Sequence, residues 1–183
     1  MSDIAAGNWK CKVIDGFFGD VEQRIGVWLP TVRINIEITN DGPHKGQRYS
    51  YEEAVDNKQA PYIARTLKAV GWKCRKMTDV AADIAEWVSR TGGESTVEIK
   101  HIEIKRGKKF DTWVADGAKG SPPVWVKVGA IGRGPKPLRE STQENLRDAD
   151  DAMRAALAED AGRGGGSGYD DAPPPSDEDS IPF

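Results

Sequence analysis

Val32, Ile34, Ile36 and Ile38 alternate with Arg33, Asn35, Glu37 and Thr39, and this strict period of two constrains the chain more than any other feature. It predicts a β-strand with one face in an apolar core and the other in water. Trp9-Lys10-Cys11-Lys12-Val13 repeats the pattern, which puts Lys10 and Lys12 on one polar face. The turn Asn40-Asp41-Gly42-Pro43 ends the central strand, and residues 46–51 read as a shorter third one. Strands are therefore expected near 9–17, 24–39 and 46–51.

The period then changes. Pro61 suits the first turn of a helix, Ile63, Leu67 and Val70 follow at helical spacing, and Gly71 closes the segment. A second helix is expected over 79–90, with Thr78 or Asp79 as cap and Gly92-Gly93 as stop. Strand character returns over 95–105. There Val97 and Ile99 share one parity and Ile102 and Ile104 the other, so a bulge is expected near Lys100-His101. A turn at 106–109 leads to Phe110, and Pro122-Pro123 precedes a last strand over 124–128. Ser141-x-x-Glu144 has the form of a capping box opening a helix through Leu146, Met153 and Leu157.

Charge is divided unevenly. Residues 1–140 hold 23 of the 26 Lys and Arg and 18 of the 29 Asp and Glu, a net +5, whereas 141–183 hold 3 and 11, a net −8. A basic body with an acidic tail suits a polyanion-binding protein. All six Trp lie in the body, while Gly, Pro, Ser and Asp dominate 162–183, which is expected to be disordered. No apolar run reaches the roughly 18 residues of a membrane helix, and the N-terminus lacks a leader pattern, so a cytoplasmic protein is expected. Two Cys and two His supply no paired metal-ligand motif. Free thiols, no metal and no cofactor are expected.

The chain ends Asp177-Glu178-Asp179-Ser180-Ile181-Pro182-Phe183, an acidic run with an apolar tip at the terminal carboxylate. This ending resembles that of bacterial and bacteriophage single-stranded DNA-binding proteins. Asn8, Val13-Ile14, Gly16, Gly19-Asp20, Glu22 and Arg24 are similar to the first strands of the same family. Two helices between the third and fourth strands make a longer insert than is usual in bacterial members, which favours a phage-type one. The resemblance implies a mainly β, OB-fold-like five-stranded barrel with a helical insertion between strands 3 and 4, then a C-terminal helix and a disordered tail. It implies a DNA-binding domain over 1–135, a linker with an amphipathic helix over 136–161, and a tail over 162–183. Asp177, Glu178, Asp179, Ile181, Pro182 and Phe183 would then dock on replication, recombination or repair enzymes. Ser180 interrupts the acidic run of the family pattern.

Binding single strands needs cations for phosphates and aromatic faces for bases. Lys10, Lys12 and Arg33 are candidate phosphate contacts on polar strand faces, with plain solvent exposure as the rival reading. Lys105, Arg106, Lys108 and Lys109 crowd one turn, either against DNA or as a solubilising hairpin. Phe110 and Trp113 follow, one able to stack while the other fills the core. In Val124-Trp125-Val126-Lys127-Val128, Trp125 and Lys127 share the face opposite the valines, suited to stacking plus phosphate contact or to a half-buried Trp. Trp9, Trp28, Trp72 and Trp87 are assigned to packing, and of adjacent Phe17 and Phe18 one must face outward.

Two readings compete with single-stranded DNA binding. Glu98-Ile99-Lys100 and Glu103-Ile104-Lys105 each have the Glu-x-Lys form that resembles the active-site strand of a metal-dependent nuclease family, yet Asp79 and Asp83 read as helix-cap and helix-surface residues rather than converging ligands. Ile-Pro-Phe at a free carboxyl end also fits a peptide captured by strand addition, which leaves the basic body unexplained. No catalytic grouping stands out, and no enzyme activity is expected.

Overall fold

The computed structural model describes residues 7–105, 108–110, 124–129 and 136–162, with backbone alone at 7, 23–24, 98–105, 108–110 and 124–129. The predicted alternating segments form β1 (Gly7–Arg24), β2 (Val27–Ile38) and β3 (Arg48–Ala54), followed by α1 (Ala60–Ala69). A 3-10 turn (Met77–Asp79) runs into α2 (Val80–Thr91). Then come β4 (Glu94–Lys105), β5 (Lys108–Phe110), β6 (Val124–Gly129), the two-residue β7 (Leu138–Arg139) and α3 (Gln143–Gly162).

The strands run in the order β3-β2-β1-β4-β5, antiparallel throughout, with β7 antiparallel on β1. β6 pairs in parallel with β4 and also lies against β3, two strands beyond β1. The sheet therefore curls until its two ends approach one another. The molecule is mainly β, a curled, largely antiparallel sheet carrying helices on one face and a C-terminal helix.

The inward residues of β2 are sealed: Val32, Ile34, Ile36 and Ile38 are at most 1% exposed. Cys11, Val13, Tyr51 and Val97 join them from the other strands, and Ile63, Leu67, Val80 and Ile84 from the helices. Burying each such side chain stabilises the fold by about 1.5–3 kcal/mol. Burial also pushes the Cys11 thiol up to about 12, so it packs as an apolar group. Among the described residues no helix is long and apolar enough to cross a membrane.

β1 is eighteen residues long, twice the predicted strand, and it changes parity midway. Its pairing with β2 shifts register between Val13 and Asp15, so Ile14 is a bulge. Cys11 and Val13 point inward before it; Gly16 is buried after it. A Cβ on Gly16 would stand 2.3 Å from Ile84 Cδ1, so α2 packs directly on the backbone at this point. Gly71, at the end of α1, has φ of +97° and would bring a Cβ to 2.2 Å from Trp87 Cβ. The bulge predicted at Lys100-His101 is absent from the β4–β6 register, which runs unbroken from Val97 to Ile102. β4 instead changes partner, from β1 over 94–99 to β5 over 103–105, and the apolar parity switches where the neighbours switch.

Three local expectations are corrected. Neither Thr78 nor Asp79 caps α2 through its side chain, because the 3-10 turn already supplies the entry. Asp83 is not a surface residue: its side chain is 1% exposed and accepts from the Lys73 amide at 2.9 Å and the Arg75 guanidinium at 2.7 Å. It clamps the loop between α1 and α2. The cap of α3 is Thr142, whose Oγ1 accepts from the Asn145 amide at 3.2 Å, rather than Ser141.

Ser141 is held elsewhere. Its hydroxyl donates to the fully buried Asp20 carboxylate at 2.8 Å, and the Asn145 side-chain amide donates to the other oxygen, also at 2.8 Å. Arg139 lies 3.7 Å from the same carboxylate and 3.6 Å above the Trp28 ring. With Ala149, Ala152 and Met153 buried in the common core, 136–162 packs as part of the body.

Two stability tests follow from these contacts. Gly16→Ala should cost about 1–3 kcal/mol by overpacking. Removing Cδ1 with Ile84→Val should relieve it, so the double variant should unfold at higher urea than the two single losses summed would allow. Burial raises the Asp83 pKa, but the Lys73 amide and Arg75 guanidinium outweigh it and hold the carboxyl below its ordinary value. A folded pKa below the unfolded one contributes stability that is full above about pH 4 and lost as pH falls through the folded value. Urea midpoints of Asp83→Asn should therefore decline less steeply than the wild type's below pH 4, starting from a lower plateau at neutral pH.

Candidate functional site

The face of the sheet opposite the core is laid out in cross-strand rungs. The Ile14 bulge makes them continuous: Lys10 and Lys12 point outward before it, and Asp15 and Phe17 after it. Without the extra residue Asp15 and Phe17 would turn toward the core. The first rung is Lys12, Glu37 and Arg48, the second Asp15, Asn35 and Ser50, and the third Phe17, Arg33 and Glu52.

Each rung is joined by its own bonds. Arg48 Nε donates to Glu37 at 3.2 Å. Asn35 Nδ2 donates to Asp15 Oδ1 at 2.7 Å, and Ser50 Oγ donates to Asn35 Oδ1 at 2.6 Å. Arg33 Nε donates to Glu52 at 2.8 Å, and its terminal nitrogen also reaches the Lys136 carbonyl. Lys136 in turn donates to the Glu22 carbonyl at 2.9 Å, so 136–139 crosses the hairpin as a strap.

Phe17 interrupts this polar surface. It is 41% exposed, whereas Phe18 packs against the core, which resolves the pair left open by the sequence. The apolar character continues toward the β1–β2 turn, where Ile25, Val27 and Leu29 are exposed. A large ring in the middle of a wet sheet adds nothing to the core and offers a flat contact surface.

Lys10 and Lys12 are exposed on this face and form no ion pair among the described residues. Arg33 differs from them. It is 8% exposed, and its guanidinium is held by Glu52 and Lys136, so it builds the fold. Lys105 ends β4 and pairs across a hairpin with Lys108, and Lys109 and Phe110 complete β5. In β6, Trp125 stands opposite Glu98 and Lys127 opposite Lys100 of β4. The side chains of all these β4, β5 and β6 residues lie outside the description, as do Arg106 and Trp113 entirely. The tail residues Asp177, Glu178, Asp179, Ile181, Pro182 and Phe183 also lie outside the described residues.

The sequence signal for Phe17 was the adjacency of two phenylalanines in a strand. The rung Asp15-Asn35-Ser50 gave none, because a bulge cannot be seen in Val13-Ile14-Asp15. Trp9 meets His44 edge-on at a centroid distance of 5.6 Å, and Trp72 is buried, in keeping with packing roles. An open groove of about 670 Å³ between Lys76 and the start of α3 has Leu146 as its sole apolar lining residue. Among the described residues no three His, Cys, Asp or Glu side chains converge as metal ligands.

No protein-family model, curated protein or solved structure matches this chain.

Proposed function

We propose that this chain is a single-stranded DNA-binding protein whose body is an OB-fold-like barrel, acting by sequestration and recruitment without chemistry. The observation that carries the reading is the exposed Phe17 amid polar rungs, on the same face as Lys10 and Lys12, on a curled sheet whose other face is sealed. Bases stack on the ring, and the two ammonium groups meet phosphates. The helical pair between β3 and β4, and the return of β4 onto β1, suit the OB-like architecture. The sequence supplies further cations in Lys105, Arg106, Lys108 and Lys109, and a further ring and cation in Trp125 and Lys127. The acidic tail ending Ile181-Pro182-Phe183 is the recruiting element: its ring suits an apolar pocket and its carboxylate a basic one.

Affinity for a mixed-sequence single strand should exceed that for the matching duplex and fall steeply with salt. Phe17→Ala should lower it by about 1–3 kcal/mol, roughly 5- to 150-fold, while the variant still unfolds cooperatively, its urea midpoint reduced by the part of the ring that is covered. Equal binding of single strand and duplex at moderate ionic strength would overturn the reading. Deleting 177–183 should preserve or tighten DNA binding and abolish capture of replication or repair enzymes; retained capture would remove the tail from the proposal.

A further inference from the structure

The rung next to Phe17 carries polar groups that the fold leaves half open. Asp15 Oδ1 accepts from Asn35 Nδ2, while Asp15 Oδ2 has no partner among the described residues. Asn35 Oδ1 is taken by the Ser50 hydroxyl, which leaves the second Nδ2 hydrogen of Asn35 unassigned. Asp15, Asn35 and Ser50 are all half-buried, so these groups sit where a bound base would exclude water. Asp15 and Phe17 are two positions apart on one face of β1, which sets their Cα atoms about 7 Å apart. A base stacked on Phe17 therefore lays an edge along the Asp15-Asn35 rung.

The rung presents an acceptor beside a donor. Cytosine offers the complementary pair, an N4 amino group beside the N3 acceptor, and adenine offers N6 and N1 in the same relation. Thymine presents its N3 proton between two carbonyl oxygens, and whichever of them is turned from the Asn35 donor faces the carboxylate. A carboxylate accepting from cytosine N4 is an established mode of base reading. We infer that Asp15, oriented by Asn35 and Ser50, is a specificity-determining residue that makes this face prefer amino-bearing bases, cytosine above thymine. The inference rests on the proposed binding of single strands at Phe17 and adds that this binding discriminates among bases.

Oligo(dC) and oligo(dT) of equal length separate the two ideas, because the pyrimidine rings stack over similar areas. In titrations of the full chain near pH 8, oligo(dC) should bind roughly tenfold more tightly than oligo(dT). Asp15→Asn, which keeps the size of the rung, should reduce that ratio to about twofold or less. An oligonucleotide of N4,N4-dimethylcytosine, which lacks the donor but retains the ring, should bind the unaltered protein about as weakly as oligo(dT); this arm does not depend on the variant folding. Tight binding of both homopolymers with no preference for oligo(dC), or a preference that survives either change, overturns the role of Asp15 and leaves the single-strand reading standing. Absence of binding to both oligonucleotides overturns the single-strand reading and the inference with it.

Discussion

A single inserted residue in β1 decides what each side of this sheet can be. Strand side chains alternate with a period of two, so one strand serves one core face and one solvent face only while its register holds. β1 spans eighteen residues and meets β2 along its length, β4 near its start and β7 near its end. At Ile14 the register slips, and the set of residues turned outward changes from even to odd positions. The slip delivers Gly16 to α2, where no side chain fits, and delivers Asp15 and Phe17 to the face that already carries Lys10 and Lys12. Core and candidate site are thus fixed by the same irregularity.

Asp20 performs the second closure. A buried carboxylate is costly unless its oxygens are satisfied, and here Ser141, Asn145 and Arg139 gather round it. Those partners all come from the segment that opens α3, so satisfying one charge on β1 brings the C-terminal helix onto the body. Its small residues Ala149, Ala152 and Ala156 then allow close approach to the core. The strap that precedes the helix runs back across the hairpin, and its Lys136 carbonyl completes the coordination of Arg33. A cation that the sequence places on a polar strand face is consequently enclosed.

What could be read in advance divides along physical lines. Periodicity is a local property, and it marked β2, the helices at 61–70 and 79–90, and the order of strands around them. Gly92, with φ of +77°, ends α2 where the glycine pair was expected to end it. Local reading fails where a residue answers to something distant in sequence. Asp83 looks like a helix-surface carboxylate until the loop with Lys73 and Arg75 folds over it. Ser141 looks like a helix cap until Asp20, 121 positions away, accepts a hydrogen bond from its hydroxyl. The Ile14 bulge has no signature of its own, because Val13-Ile14-Asp15 fits a regular strand equally well. The Asp15-Asn35-Ser50 rung was therefore invisible even though each of its residues lay in an expected strand.

The charge on the site face bears on how such a protein would hold a polyanion. Of the cations in the rungs, Arg33 and Arg48 are matched by Glu52 and Glu37. Lys12 remains, with Lys10 on the same face, set against Asp15 and against Glu94, which stands opposite Lys12 on β4, so the described part of this face is close to neutral. Under the proposed binding, phosphate attraction on this face would be a minor contribution, and most of the net +5 of residues 1–140 would act from elsewhere, with four of its cations at 105, 106, 108 and 109. On the rungs the stronger contributions to that binding would be the apolar ring and the oriented polar groups beside it, which suit bases rather than the backbone. A duplex hides those base faces in its stack and a single strand exposes them. A face poor in net charge and furnished with an exposed ring is therefore better suited to unpaired bases than to the backbone of a double helix.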